Sequence, residues 1–476
     1  MWTTFFIWMV LAVYVILVAS TVTVVLLENR QPAKTIAWTI VLVMLPVIGL
    51  IIFYFFGQNV RKERYIGKRL YNLLTQRMLG EVSRLPAGAY PPKHAPLIRL
   101  FERTNKAVPT VDNRIDSYGT GAGWLLALAR EIGAATDHIH LETYIIEDDA
   151  VGRFVRDLLT DKAREGVEVR LIYDDVGCWK VPNRFFGRLI DAGVKVSPFL
   201  PVRFPSLTHK VNYRNHRKIC VIDGQVGFIG GMNLAERYVS RRGKPWRDIH
   251  LRIEGEAVAG LQRIFLSDWN FVRGAVRAER RYFPAPRTSA ATGGGDVLQI
   301  VQSNPVSRYP EIMFGLTWAI YRARRYFYIQ TPYFMPTEPV LQALQTAAMS
   351  GVDVRLMVPE KPDSFWLRYI NDSYFSAILQ AGIRIYIYRN GFLHAKCAVS
   401  DDDWCTVGSS NMDFRSFENN FEANVFLYGK AGATACRDNF LNDLKDCREI
   451  RLSEWKRRPR LNRLMESYTR ILSPLL

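Results

Sequence analysis

Cysteine is scarce in this chain and follows no ligand pattern. The six cysteines (Cys178, Cys220, Cys397, Cys405, Cys436 and Cys447) form no C-x-x-C pair. That argues against a zinc site or a disulfide framework and for a reducing compartment. Histidine is scarce too, with seven in 476 residues. There is no H-E-x-x-H, no carboxylate cluster and no P-loop, so no metal and no cofactor is expected. Acidic residues are outnumbered, with 45 Asp and Glu against 63 Lys and Arg, for a formal charge of +18. This excess predicts an anionic partner, either nucleic acid or an acidic membrane surface.

Charge is missing altogether from two stretches, and that decides between the partners. Residues 1–27 and 35–60 carry none, and each exceeds the ~20 apolar residues needed to cross a bilayer. The connector ENRQPAK is short, so residues 1–60 are expected to form a transmembrane helical hairpin. A cleaved signal peptide is a poor fit, because the first run is too long, lacks a basic start and is followed by a second span. Pro46 and Gly49 interrupt the second span, which membrane helices tolerate. Arg61, Lys62, Arg64, Lys68 and Arg69 follow it, and the positive-inside rule puts them in the cytoplasm. With two spans and no evident stacking platform for single strands, a nucleic-acid partner is not expected.

Residues 61–110 are basic and then broken by prolines (LPAGAYPPKHAP), and read as a linker to a globular body. The body alternates helical and strand patterns. HIHLETYII, AVGRFVRDLLTDKAREG and VEVRLIYDD read as strand, helix and strand, the signature of a βαβ unit in an α/β fold. The order then repeats. EGVEVRLIYD aligns with SGVDVRLMVP, and LIDAGVKV with LQAGIRI. The offset between copies is 185 residues at Gly166 and Gly351, 189 at Gly193 and Gly382, and 178 at His216 and His394. The first copy therefore carries a loop insertion in FLPVRFPSLTHKVNYRN. Two long copies predict two α/β domains, 111–290 and 291–476, related by a pseudo-twofold axis.

Each copy holds the same frame. His216, Lys218 and Asp223 are followed by Gly230 and Asn233; His394, Lys396 and Asp401 are followed by Gly408 and Asn411. Residues two apart on a strand share a face, so each His and Lys point together. Asp lies seven residues past His and faces oppositely on a regular strand, which suits securing the turn or contacting the other side. If the copies meet about a dyad, one imidazole can act as nucleophile and the other as acid. The lysines can clamp a phosphoryl oxygen and the asparagines can donate to it. That set suits a phosphodiester. An imidazole nucleophile also needs a partner on its other ring nitrogen. Asp248, Glu418 and Glu422 are candidates, and Asp248 and Glu422 gain because an unpaired charge in their apolar, strand-like contexts would be costly.

The paired H-x-K-x-x-x-x-D motifs resemble those of the phospholipase D superfamily, over about residues 111–450. With its two-span N-terminus and NRQPAKTIAW…LPVIGL…YFFG, the chain looks most like the bacterial cardiolipin synthases within it. The resemblance implies a pair of α/β domains with the site between them and a catalytic set of His216, Lys218, Asp223, His394, Lys396 and Asp401. It implies a phosphohistidine on His216, with His394 as acid and then base, and downstream carboxylates that orient the imidazoles, which fits Asp248 and Glu422. Ser409 follows Gly408 as the family prefers, but Gly231 stands at the matching place in the first copy. The implied reaction joins two phosphatidylglycerols into cardiolipin and glycerol, in a multi-pass protein of the bacterial inner membrane whose body faces the cytoplasm. Other phosphatidyl transfer, or hydrolysis by water, is the nearest alternative; a tethered nuclease or a lipid-binding scaffold is further off. Oligomeric state is not legible. In WKRRPRLNRLMESYTRIL, Leu461, Leu464, Met465, Tyr468, Ile471 and Leu472 recur at helical spacing after a basic start, which suits either an interfacial helix or one packed on the body. Arg237, Arg241, Arg242, Lys244 and Arg247 near the first motif suit lipid phosphates or solvent equally.

Overall fold

β-Branched and aromatic runs such as EVRLIYD and YFYIQ form the strands, and apolar residues at helical spacing form the crossovers. The computed structural model describes the chain except residues 1, 28–31, 46, 58–64, 83, 84, 86, 203–211, 240–242, 275, 277, 287–294 and 471–476. Readings that rest on Pro46, Arg61, Lys62, Arg64, Arg241, Arg242, Ile471 and Leu472 lie outside the described residues, as do most of the connector between the apolar stretches and of the inserted loop.

Among the described residues, the body holds two large sheets. One runs Asn113–Tyr118, His250–Gly255, Val226–Gly230, Ile219–Ile222, His138–Thr143, Glu168–Asp174 and Lys195–Phe199 from edge to edge. The other runs Val297–Ser303, Glu422–Tyr428, Trp404–Gly408, Cys397–Ser400, Tyr326–Gln330, Asp353–Pro359 and Arg384–Tyr388, with Cys447–Ile450 added beyond. Strand for strand the first seven correspond. In each sheet the last three of the seven are parallel and the others antiparallel. The parallel strands need crossover helices, supplied by Ala150–Arg164 and its counterpart Glu338–Met349. Asp149 caps the first by accepting from the Gly152 amide at 2.9 Å, and both end at glycines with positive φ, Gly166 at 93° and Gly351 at 92°.

The sheets pack on a shared apolar layer. Ile219, Val221, Ile229, Leu251 and Ile253 of the first and Val399, Val407, Ala423 and Val425 of the second belong to one cluster, together with Leu261 and Ile264 of helix Val258–Arg273 and Phe440 of helix Lys430–Asp443. Removing this surface from water stabilises the docking of the two halves.

The stretch read as a linker is different. Residues 68–81 and 95–105 are helices. Leu97, Ile98 and Phe101 are fully buried against the second half, and Phe101 lies 4.7 Å from the Phe426 ring. Leu74 and Met78 are buried against the first half in a cluster with Phe265 and Trp269. The prolines mark the gap between these helices rather than an unstructured run, since Pro96 sits in a first turn, where its missing N–H costs nothing.

At the N-terminus, Trp2–Leu27 is one helix of 26 residues with a mean hydropathy of 2.7, long and apolar enough to cross a membrane. The second stretch is not one helix. It breaks after Pro32–Met44, at Val47 with φ 62°, and resumes as Ile48–Ile52 and a single wide turn, Phe53–Gly57. The pieces meet: Trp38, Leu42 and Phe53 bury against Val25, and the Tyr14 hydroxyl donates to the Leu42 carbonyl at 3.3 Å.

Phe101→Ala should cost about 3–5 kcal/mol, the usual cost of emptying a fully buried aromatic site. Thermal unfolding of the purified protein checks this. An unchanged Tm would mean that residues 95–105 contribute no core.

Candidate active site

The site forms where the two halves exchange backbone hydrogen bonds. Asn215, in the first half, bridges to Phe421 in the second; Leu393, in the second, bridges to Arg247 in the first. The His216 amide donates to the Phe421 carbonyl at 2.9 Å, and the His394 amide donates to the Arg247 carbonyl at 2.7 Å. The residue after each acceptor is a carboxylate. So Glu422 lands on His216, with Nδ1 to Oε1 at 3.0 Å, and Asp248 lands on His394, with Nδ1 to Oδ2 at 2.7 Å. Each histidine is thus oriented by the opposite half. With Nδ1–H given to the carboxylate, each neutral ring keeps its lone pair on Nε2.

Lys218 and Lys396 stand just before the strands Ile219–Ile222 and Cys397–Ser400, near enough to both rings to act on their charge. Each ammonium donates to the carbonyl of its own histidine two residues back at 2.5 Å, and Lys218 lies over the Tyr144 ring at 5.1 Å. Both histidines and both asparagines line one cavity of about 670 Å³. Asn233 supports its wall, accepting from the Ile145 amide at 3.1 Å and donating to the Tyr238 hydroxyl at 2.9 Å. The Asn411 side-chain oxygen is buried and has no hydrogen-bond partner among the described residues.

The two copies solve the carboxylate's fit differently. In the second, Ser409 donates to Glu422 Oε2 at 2.5 Å and Asn420 to Oε1 at 3.2 Å. In the first, a Cβ on Gly231 would sit 2.2 Å from Asp248 Oδ1. Gly231 is therefore the space that the aspartate occupies, and the hydroxyl beside His394 comes instead from Tyr238, 3.1 Å from Nδ1.

Asp223 and Asp401, placed in the catalytic set, do not reach the histidines. Each sits at the far end of its strand, with φ of 52° and 55°, roughly 20 Å along the chain from its histidine at ~3.3 Å per residue. Asp223 accepts from the amides of Thr136, Asp137 and His138, and Asp401 from those of Arg324, Arg325 and Tyr326. Each clips its hairpin to the start of the neighbouring strand. The frame repeats these aspartates because the fold repeats. Glu418 ends the short helix Phe414–Glu418 and is not the carboxylate on His216.

Burial and the lysines set the charges. Burial lowers the His216 pKa to about 4, with Lys218 and Lys396 adding to the effect against Glu422. His394 is also pushed well down, by burial and the same two lysines. Burial takes Lys396 to about 8 and Lys218 well below its usual range. Burial raises Asp248 to about 7. Glu422 stays low despite burial, because His216, Lys218 and Ser409 favour its anion.

Other residues of the site gave no usable signal in the sequence. Arg217, inside the first motif, is fully buried; it pairs with Asp268, bonds the Glu422 carbonyl at 3.1 Å and bonds Gln302 at 3.0 Å. Its counterpart is Ala395, so the duplication does not flag it. Tyr65, from the supposed linker, also bonds Asp268.

Residues 128–269 and 316–444 match the sequence profile described as cardiolipin synthase, PLD-like domain, and residues 6–58 match the phospholipase D-nuclease N-terminal profile. The chain is 38% identical to a cardiolipin synthase of Alkalihalophilus pseudofirmus, over 98% of this chain and 95% of that one. The chain belongs to the phospholipase D-like cardiolipin synthase family. A Geobacillus cardiolipin synthase is 40% identical over 95% of this chain and 91% of its own. Among solved structures, phosphatidylserine synthase from Haemophilus influenzae shares the fold, with a TM-score of 0.61 at 15% identity, over 80% of this chain and all of that one.

Glu422→Gln and Asp248→Asn should leave a folded protein and lower kcat by roughly 10²–10⁴, because the imidazole loses the partner that fixes its tautomer. Asp223→Ala should instead lower stability by about 1–3 kcal/mol through unpaired amides, with a smaller fall in kcat. Parallel Tm and initial-rate measurements separate the two roles.

Proposed function

We propose that the protein joins two phosphatidylglycerol molecules into cardiolipin and glycerol through a phosphohistidine on His216. The observation that carries this reading is the pair of carboxylate-backed imidazoles opening on one cavity, with Lys218 and Lys396 near enough to act on both rings, in a chain of the cardiolipin synthase family. His216 Nε2 attacks the phosphorus of the first lipid. The bond to its headgroup glycerol breaks, and that oxygen takes the proton from His394 Nε2. The headgroup hydroxyl of a second lipid then gives its proton to His394 and attacks phosphorus, and the P–N bond breaks to restore His216. Lys218 and Lys396 stabilise the charge on the phosphoryl oxygens, which is larger in each transition state. Asn233 and Asn411 border the same space, with Ser409 acting through Glu422.

Two features support giving His216 the nucleophile's role. Glu422 is the firmly ionised carboxylate, held by two further donors, and fixes an imidazole that need only present a lone pair. Asp248, raised to about 7, suits a histidine that gains and loses a proton in every cycle. Transfer to a lipid rather than to water requires that water be kept out and the acceptor held close. An N-terminal apolar segment serves this by keeping the body where both substrates are. The topology that goes with this reading has two passes and a cytoplasmic body in a bacterial inner membrane, with domains at 111–290 and 291–476. Nucleic acid plays no part.

Purified protein in vesicles of labelled phosphatidylglycerol should yield cardiolipin and free glycerol. Phosphatidic acid as the main product would assign hydrolysis instead. Base-quenched protein, in which the P–N bond survives, should carry label on His216, and label on His394 would reverse the roles.

The pH profile follows from the shifts. His216 must be unprotonated, so kcat/KM falls as pH drops through about 4, and His394 must hold a proton to act as the acid, so its lowered pKa adds a decline on the alkaline side. Lys396 must be charged, so kcat/KM falls as pH rises through about 8, earlier than an ordinary lysine would allow. An alkaline limb near 10.5, the usual lysine value, would show that Lys396 is not the group responsible.

A further inference from the structure

The duplicated sheets do not supply the whole cavity wall. Leu367 and Ile370, from helix Phe365–Gln380, and Thr469, from helix Arg460–Arg470, line it as well. These two helices pack along each other. Arg470 sits 4.8 Å from the centre of the Tyr374 ring, and Arg458 bonds Glu466 at 2.5 Å and reaches Asp372 at 4.0 Å.

Helix Arg460–Arg470 is inverted relative to an ordinary surface helix. Its two buried residues are polar, Glu466 and Thr469, with Met465 half-buried beside them. Its outward stripe is apolar, with Leu461, Leu464 and Tyr468 exposed by 67%, 52% and 64%. Phe365, the first residue of the neighbouring helix, is 63% exposed. Helices of water-soluble surfaces show the reverse pattern, and clustered exposed apolar side chains mark a partner. Charge identifies that partner. Arg460 and Arg463 lie exposed along one flank of the stripe, and Lys456 and Arg457 lie exposed just before it. A second copy of this chain would bring the same cations against them, whereas an anionic bilayer attracts them.

We propose that this helix pair is a docking rim for an anionic phospholipid bilayer, with the apolar stripe in the headgroup boundary and the arginines on lipid phosphates. Because the same helices line the catalytic cavity, docking sets its wall against the membrane, and a headgroup reaches His216 and His394 without leaving the interface. That consequence rests on the phosphatidyl-transfer reading; the docking itself is measured separately.

The test uses the full-length protein in vesicles of phosphatidylglycerol and phosphatidylcholine that include brominated lipid. A fluorophore on Leu464→Cys should be quenched several-fold more than one on Leu126→Cys, an exposed site on helix Gly121–Ala134. Equal quenching overturns the proposal whatever the enzyme's activity, and so does copy-to-copy cross-linking at Leu464→Cys without quenching. Leu464→Asp with Tyr468→Asp should lower kcat/KM on bilayer phosphatidylglycerol at least about tenfold, matching a loss of roughly 1.4 kcal/mol of interfacial binding. It should leave turnover of a dispersed short-chain phosphatidylglycerol within about twofold. An equal loss on both substrates would overturn the rim's role in delivery. Quenching at 464 in a protein that makes no cardiolipin would sink the transfer reading and leave the docking standing.

Discussion

The exchange of backbone hydrogen bonds between the halves is the constraint on which the site depends. His216 is tied to Phe421 and His394 to Arg247, and the next residue along each acceptor strand is the carboxylate that the histidine needs. Neither half holds a finished catalytic unit. An isolated half would bury a histidine and a lysine with no carboxylate, or expose them to water, and burying a lone charge costs several kcal/mol. Docking of the two apolar faces and assembly of the chemistry are therefore one event.

That assembly also fixes the charge. Two lysines and two carboxylates meet beside two imidazoles, and with both rings neutral the group is balanced. Burial and the lysines keep the empty site in that state, which is why His216 and His394 are both pulled down. A bound phosphodiester adds one negative charge and makes room for one proton. In the proposed reaction the substrate thus creates the imidazolium that must protonate its leaving group. In that same proposed reaction, the local asymmetry, Gly231 with Asp248 against Ser409 with Glu422, favours His394 as the ring that takes it.

What could be read in advance, and what could not, follows from range. The His-x-Lys frames, the duplication and the strand-helix-strand order are local patterns and were legible. So was the poor fit of Asp223 as a catalytic residue, since an odd spacing on a strand puts it on the wrong face. Asp248 and Glu422 could be singled out by their apolar surroundings, but not matched to a histidine. The partners are 146 and 206 residues apart, and nothing local says that the pairing crosses between halves. Arg217 had no repeat to mark it. The 61–110 region misled because prolines between two helices look like prolines in a linker; the buried apolar face of helix Ala95–Asn105 is only Ala95, Leu97, Ile98 and Phe101.

That region also joins the apolar N-terminus to the chemistry. Tyr65 bonds Asp268, Asp268 pairs with Arg217, and Arg217 holds the carbonyl of Glu422. Three contacts lead from the chain's entry into the body to the residue that orients His216. Tyr65 follows Gly57, near the end of the apolar segment, by eight positions, and at ~3.3–3.6 Å per position these steps reach at most about 29 Å. The body cannot drift far from the apolar segment. For an enzyme whose competing nucleophile is water at high concentration, a short tether keeps the local concentration of acceptor lipid high, and the packed helix Lys68–Glu81 makes its attachment to the body rigid. The N-terminal segment is in this sense part of the reaction's selectivity and not merely an anchor.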